Sequence, residues 1–368
     1  MPVAHDGTKS EPSAFAGKVV VVTGASAGVG RAAATAFAKA GARVALVARG
    51  EEGLESARRE IELVGGKALP IRADVADSKA VEAAADKVEA ELGPIDIWVN
   101  NAMVTIFAPV SEIDPDEFKR VTEVTYLGGV YGTMAALKRM RRRDRGTIVQ
   151  VSSALAYRSI PLQSAYCGAK HALVGFIDSL RSELIHEGSG IRITSVQMPA
   201  LNTPQFGWAR NKMPERPQPV PPIFQPEVAA EAILYAASHN RRNVPVGSST
   251  WKAEWGQKFF PGLLDRYLGR TAYKGQQSGE SDPHDRPDNL FTPVASDPGT
   301  HGRFDAQAKG ASPALWVEEH RGPVLGGAAL LGALAALGWY GARSRSTPAR
   351  LVRHRIHQAS RNLRNRQP

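Results

Sequence analysis

The chain has 368 residues and a formal net charge of +10, which is concentrated at one end. Residues 341 to 368 contain eight arginines and no lysine, aspartate or glutamate, so the rest of the chain carries only +2. That near-neutral remainder excludes a broad polyanion-binding surface and predicts no nucleic-acid partner. A single cysteine, Cys167, excludes an internal disulfide framework.

The N-terminal residues 1 to 15 are predicted to be a flexible, polar segment. They lack the apolar stretch of a secretory signal, so the sequence predicts a cytoplasmic protein.

Short apolar strands alternate with amphipathic helices over residues 16 to 250. The predicted strands are 18–23, 43–48, 68–73, 95–99, 147–151 and 191–197, and the predicted helices are 28–40, 51–64, 77–92, 115–140, 164–187 and 227–238. Alternation of this kind predicts an α/β fold with a doubly wound parallel sheet, the Rossmann fold. We therefore predict a single domain with a C-terminal extension. Residues 202 to 226, rich in proline and aromatic side chains, are predicted to form a loop over the substrate.

The C-terminal extension divides into three predicted parts. Residues 251 to 321 contain a stretch dense in Gly, Pro, Asp and Ser and are predicted to be an extended segment or linker. Residues 322 to 342 carry no charge and are long enough to cover a bilayer core, although their mean hydropathy is marginal. They predict a helix that is associated with a membrane or packs against protein. Together with the arginine-rich tail, residues 343 to 368, this helix predicts attachment to the inner face of the membrane.

A glycine run follows the first predicted strand and opens the first predicted helix. Glycines in this position let the backbone approach a pyrophosphate, which the helix N-terminus then attracts. The predicted cofactor-binding residues of this run are Thr23, Gly24, Ser26, Gly28, Val29 and Gly30.

The end of the second strand determines which dinucleotide fits, because an acidic side chain there would bind the ribose 2′-hydroxyl. The sequence instead places Arg49 at this point, and a guanidinium can bind a 2′-phosphate through paired donors. NADP(H) is therefore favoured over NAD(H).

Three side chains in the middle of the chain carry the predicted chemistry. Tyr166 and Lys170 are four residues apart on one predicted helix, so they share a face. A lysine ammonium beside a phenol is expected to lower its pKa from about 10 toward neutrality. Ser153, after the fifth strand, is placed to bind a substrate oxygen, with Ser152 as the alternative.

Together these motifs resemble the short-chain dehydrogenase/reductase family, in the non-extended group with TGxxxGxG and YxxxK motifs. The resemblance implies that Tyr166 is the general acid or base, that Lys170 also holds the nicotinamide ribose, and that the protein forms a homo-oligomer. It further implies that residues 16 to 250 form the NADP-binding catalytic domain. It adds cofactor contacts from Asp74, Val75, Asn101, Ala102, Tyr166, Lys170, Pro199 and Thr203.

The chain departs from the family pattern at three positions, one of which is Ala200, where the family's Pro-Gly segment has glycine. Met103 stands where the family usually has glycine, and Thr125 stands where it commonly has an asparagine that helps to hold a water molecule. We therefore expect either a different water arrangement or slower turnover.

The sequence predicts an NADP(H)-dependent oxidoreductase that interconverts an alcohol and a ketone or aldehyde, on an apolar small molecule. The alternative is a dinucleotide-binding sensor or membrane scaffold without catalysis. No metal site is predicted, because no histidine, cysteine and carboxylate cluster has metal-ligand spacing.

Overall fold

The structure is a computed structural model that describes residues 14–283, 286–327, 329–337 and 339–340. Its central element is a parallel β-sheet. The strands are β1 (Val19–Thr23), β2 (Arg43–Ala48), β3 (Lys67–Arg72), β4 (Ile97–Asn100), β5 (Ile106–Phe107), β6 (Gly146–Ser153), β7 (Ile191–Met198), β8 (Ala200–Leu201), β9 (Arg210–Asn211), β10 (Glu215–Pro217), β11 (Ile223–Phe224), β12 (Asn243–Pro245) and β13 (Gln277–Ser281). The helices are α1 (Gly28–Lys39), α2 (Glu51–Leu63), α3 (Ser78–Glu91), α4 (Pro115–Thr122), α5 (Gly128–Met140), α6 (Ser164–His186), α7 (Gln205–Trp208), α8 (Pro226–Ser238), α9 (Ser248–Phe259), α10 (Pro261–Gly275) and α11 (Pro313–Glu319).

Seven strands make up the central sheet in the order β12-β7-β6-β4-β1-β2-β3, and each neighbouring pair is parallel. All five residues of β1 are buried, because helices cover both faces of the sheet. The strand order reverses between β1 and β4, which opens a crevice at the carboxyl edge where ligands bind in such sheets. The predicted doubly wound Rossmann fold is confirmed.

The helical region between β5 and β6 is shaped by its contact with the sheet. A π-helical segment, Glu123–Leu127, joins α4 to α5. Gly132 in α5 lies against β4 so closely that a Cβ there would be 2.1 Å from the Asn100 Oδ1 atom. Thr133 also binds this side chain, since Asn100 Nδ2 donates to its hydroxyl at 3.0 Å.

Residues 251 to 321 were predicted to be an extended segment or linker; their first part forms regular structure, whereas residues 282–283 and 286–312 have almost none. The first part contains most of α9, all of α10, and β13, which pairs with β10. The described residues up to Leu315 form one compact unit. Many apolar side chains of α9 and α10 are exposed, whereas Leu264, Leu268 and Ala272 share a face of α10 that is at least partly buried.

The described residues from Trp316 onward belong to a second compact unit. Residues 321–327, 329–337 and 339–340 are helical. Within the described part of the chain, no helix is both long and apolar enough to cross a membrane. Residues 1–13 and the arginine-rich tail lie outside the described residues, so membrane attachment through residues 322 to 368 stays a prediction.

Candidate active site

A cavity of about 810 Å³ lies at the carboxyl edge of the sheet. It is within the size range of pockets that bind small molecules and cofactors. The predicted site residues that line it are Gly24, Ser26, Gly28, Val29, Arg49, Asp74, Val75, Asn101, Ala102, Ser153, Tyr166, Lys170, Pro199 and Thr203. Thr23 and Gly30 do not line the cavity, but both shape its wall.

The glycine loop between β1 and α1 has a backbone that only glycine accommodates readily. Gly24 and Gly28 have φ angles of +67° and +51°. A Cβ on Gly30 would lie 2.2 Å from the Gly24 carbonyl oxygen. Helix α1 has no side-chain cap at its N-terminus, so its first turn presents a positive dipole end and amide groups, of which the Gly28 amide donates to the Gly299 carbonyl. This cradle fits a pyrophosphate.

Thr23 and Asn101 fix the ends of β1 and β4 at the crevice. The Thr23 hydroxyl accepts hydrogen bonds from the amides of Asn101 and Ala102 at 3.0 and 3.1 Å. The Asn101 side chain donates back to the Thr23 carbonyl at 2.9 Å. These two residues therefore brace the glycine loop, and their predicted contact with the cofactor stays a prediction.

Ser153, Tyr166 and Lys170 meet at the far end of the same cavity. The Ser153 hydroxyl is hydrogen-bonded to the Tyr166 hydroxyl. Lys170 Nζ lies 5.6 Å from the centre of the Tyr166 ring and donates to the Val151 carbonyl at 2.7 Å. Ser152, the alternative serine, is buried and has no hydrogen-bond partner among the described residues. The geometry favours Ser153 over Ser152.

Burial has the largest effect on the pKa values of Tyr166 and Lys170. It raises the pKa of Tyr166 above its usual range, and the hydrogen bond from Ser153 offsets only part of that rise. Burial also lowers the pKa of Lys170 to about 8. The predicted lowering of the Tyr166 pKa by the Lys170 ammonium is not seen, because desolvation of the buried phenolate is the largest influence on this pKa and raises it.

Replacing Lys170 with methionine is expected to increase the free energy of unfolding at neutral pH. The folded-state pKa of Lys170 lies below its unfolded value of 10.5, so its burial costs stability below pH 8, and that cost disappears as the pH rises to about 10.5. We expect Lys170→Met to be more stable than the native protein by about 2 kcal/mol at pH 7, with a gap that is much smaller at pH 10. Urea unfolding at both pH values measures this gap. Lys138→Met, at a site 60% exposed, is the control, and an unchanged gap for Lys170→Met would contradict the argument.

A C-terminal segment, residues 289 to 302, forms one wall of the cavity. Arg49 holds its first part, since the guanidinium donates to the carbonyls of residues 289, 290 and 291, at 2.9 Å to Phe291. Burial, together with the nearby charge of Arg120, lowers the pKa of Arg49. Arg49 thus lies where it was predicted, on the rim of the cavity, but its donors bind protein carbonyls.

Two further contacts hold the 289–302 segment against the glycine loop. Buried Arg31 binds Asp297 at 2.5 Å and Glu60 at 2.6 Å. The Gly28 amide donates to the Gly299 carbonyl at 3.1 Å. The segment therefore passes directly over the predicted phosphate cradle.

The sequence profile described as short chain dehydrogenase matches residues 18–213, more than half of the chain. The uncharacterized oxidoreductase YxnA of Bacillus subtilis (strain 168) is 33% identical over 273 residues, which cover 74% of this chain and 77% of that protein. The chain belongs to the short-chain dehydrogenase/reductase family. It is therefore an oxidoreductase that acts on small molecules.

Two other members of the short-chain dehydrogenase/reductase family are informative. A fatty acyl-CoA reductase of Acinetobacter baylyi (strain ATCC 33305 / BD413 / ADP1) is 34% identical over 222 residues, 60% of this chain and 72% of that protein. A metagenomic short-chain oxidoreductase solved in complex with NADP has a TM-score of 0.53 and 29% identity, and the match covers 63% of this chain and 96% of that one.

One departure from the family pattern, Thr125, has a structural explanation. Its buried hydroxyl donates to the Val104 carbonyl at 2.8 Å and accepts from the Val104 amide at 3.1 Å. Thr125 thereby ties the π-helical segment to the loop after β4. Met103 lines the cavity in that loop.

Asp74 has partners that the sequence did not predict. Arg120 binds one of its carboxylate oxygens at 2.5 Å, and the Ala76 amide donates to the other at 3.0 Å. Arg120 also donates to the Leu290 carbonyl at 3.1 Å, so it links Asp74 to the 289–302 segment.

Several cavity-lining residues were missed in the sequence. They are Leu155, Ile160, Leu264, Tyr267, Leu268, Pro293, Val294 and Pro298. Among described residues, no group of three or more His, Cys, Asp and Glu could hold a metal ion.

Proposed function

We propose that the protein is an NADP(H)-dependent oxidoreductase that interconverts an alcohol and a ketone or aldehyde on an apolar substrate. The observation that carries this proposal is the shared cavity: the Ser153–Tyr166 hydrogen bond, with Lys170 beside it, opens into the same space as the glycine cradle. A hydride source and a proton source can therefore act on one carbonyl group.

The glycine loop and the N-terminus of α1 would hold the pyrophosphate of the dinucleotide, and Arg49 would hold its 2′-phosphate. When bound, the nicotinamide supplies or accepts the hydride. The NADP complex of the metagenomic relative supports this choice of cofactor.

Tyr166 holds or releases the proton of the substrate oxygen. Its raised pKa keeps the phenol protonated at neutral pH but makes it a weaker acid, so donation during carbonyl reduction depends on stabilising the phenolate as it forms. The Ser153 hydroxyl is oriented because its oxygen accepts from the Leu155 amide at 3.1 Å, so its proton points toward Tyr166 or a substrate oxygen. Lys170 places a positive charge beside the phenolate that forms.

An apolar substrate fits the part of the cavity beyond the catalytic residues. Phe206, Trp208, Leu264 and Leu268 line it. The fatty acyl-CoA reductase relative acts on a molecule with a long apolar chain, which is consistent with this lining.

A screen of NADPH oxidation against aldehydes and ketones of increasing chain length tests the proposal. We expect kcat/KM to rise with chain length, because each buried methylene contributes about 0.8 kcal/mol. The sensor alternative is supported by the two hydrogen bonds between the Thr125 hydroxyl and the backbone of Val104. Because the hydroxyl proton is donated to the Val104 carbonyl, it does not take part in a water relay. Tight NADPH binding without oxidation of any carbonyl would select the sensor.

Replacing Arg49 with glutamine is expected to reduce the preference for NADPH. Loss of charge-assisted hydrogen bonds to the 2′-phosphate should raise the Kd of NADPH by about 10- to 100-fold and leave that of NADH nearly unchanged. Fluorescence titration with both dinucleotides measures the ratio. Arg43→Gln, at the opposite end of β2, is the control. Equal weakening of both dinucleotides by Arg49→Gln would show that Arg49 only holds the 289–302 segment.

A further inference from the structure

Helices α9 and α10 carry an exposed row of large apolar side chains, here called the α9–α10 aromatic surface. Its members are Trp251, Trp255, Phe259, Phe260, Leu263 and Tyr267, which are 38% to 66% exposed. The first three recur every four residues and therefore share one face of α9. Trp255 and Phe259 stack at 5.6 Å, and Phe260 continues the row at 6.4 Å from Phe259.

Cationic side chains surround this surface. Residues 248 to 275 contain five exposed lysines and arginines but only two acidic residues, a net charge of +3. Lys258 lies over the Trp255 ring at 5.5 Å, and Asp265 is already paired with Arg158. Aromatic rings interleaved with cations fit the interfacial zone of an anionic bilayer.

A second copy of the chain fits the surface less well. A symmetric dimer places the same patch on both partners, so this patch would face an equal positive charge. An anionic lipid surface meets the cations with opposite charge and the rings with an apolar medium.

The surface also adjoins the cavity. Leu264 and Leu268 of α10 line the cavity, while Leu263 is on the exposed side. Tyr267 does both, since it lines the cavity and is 60% exposed. The cavity thus opens beside the apolar row.

We propose that the α9–α10 aromatic surface docks on an anionic membrane and sets the mouth of the cavity against the bilayer. The docking itself is independent of the reaction. Delivery of an apolar substrate from the bilayer to Tyr166 rests on the proposed function.

A fluorescent label on the surface tests the docking in the full chain. Cys167 is the sole cysteine and is buried, so an environment-sensitive thiol dye can be directed to Phe259→Cys. The control is Ile185→Cys on α6, where the native side chain is 74% exposed. Vesicles of phosphatidylcholine with phosphatidylglycerol should increase the emission at residue 259 at least about twofold, with a blue shift, and leave residue 185 unchanged.

Charge dependence provides the second readout. Lys258→Gln combined with Arg270→Gln should weaken vesicle binding about tenfold, whereas Lys138→Gln should not. If the emission of the dye at residue 259 does not change although the chain floats with the vesicles, the proposal is overturned, since the chain then binds through another surface. Emission that rises with protein concentration alone would also overturn it, in favour of self-association. Equal binding to vesicles of pure phosphatidylcholine would refute the role of the cations.

None of these three failures would bear on catalysis, because the dye reports binding without turnover. If Phe259→Cys does not fold, judged by its circular dichroism and NADPH binding, a dye at Trp255→Cys replaces it and the same outcomes apply.

Discussion

Tyr166→Phe is expected to reduce kcat for carbonyl reduction by about 1000-fold while NADPH binding changes little. The substitution removes the proposed proton donor and leaves Ser153 and Lys170 in place, and general acid catalysis contributes about 10²- to 10⁴-fold. Steady-state kinetics on the best carbonyl of the screen, with NADPH titration in parallel, measures both effects.

Tyr157→Phe is the matched control for this experiment. Tyr157 is close in sequence, but its hydroxyl accepts a hydrogen bond from Gln197 at 2.5 Å and is not joined to Ser153. Its substitution should leave kcat within about threefold of the native value. Full turnover by Tyr166→Phe would eliminate Tyr166 as the acid and with it the proposed mechanism.

Gly30→Ala is expected to destabilise the protein by about 3 kcal/mol and to weaken NADPH binding by more than about 100-fold. The added Cβ would lie 2.2 Å from the Gly24 carbonyl oxygen and 2.5 Å from Asn101 Nδ2. Because the nearest atom belongs to the backbone, rotation of a side chain cannot relieve the contact, and the glycine loop must move away from α1. Denaturant unfolding and NADPH titration give the two values.

Gly175→Ala in α6 is the control, because it shows the general effect of alanine on a helix without a close contact. Nothing lies within 4 Å of a Cβ at Gly175, so the change should stabilise the helix by about 0.5–1 kcal/mol. If both variants behave alike, the close packing of Gly30 does not control the shape of the cradle.

The sequence was sufficient for six of the seven strands of the central sheet, because burial leaves a clear trace there, but β12 was not predicted. Strands such as β1 and β2 are apolar except for Thr23 and Arg43 at their ends, and the helices between them have one buried face, so both periods are visible. The observed bounds differ from the predicted ones by about two residues at most over these elements. The glycine loop was equally predictable, since its glycines are required by local backbone geometry.

The partners of Arg49 and Arg31 could not be predicted. Both bind residues near position 290, about 240 to 270 positions away along the chain. The 289–302 segment has no period of its own, and its conformation is set by these distant contacts. Trp251, Trp255 and Phe259 recur every four residues in the sequence. Such spacing usually indicates a buried helix face, whereas these three side chains are exposed.

The position of the 289–302 segment in the chain has a consequence for biosynthesis. A ribosome releases the sheet and the glycine loop first, so a nascent chain can fold its central layers around an open groove. The groove gains its last wall only after residue 302 has emerged. A truncated product that ends before residue 289 would keep the strands of the central sheet but lack the cover over the nucleotide cradle.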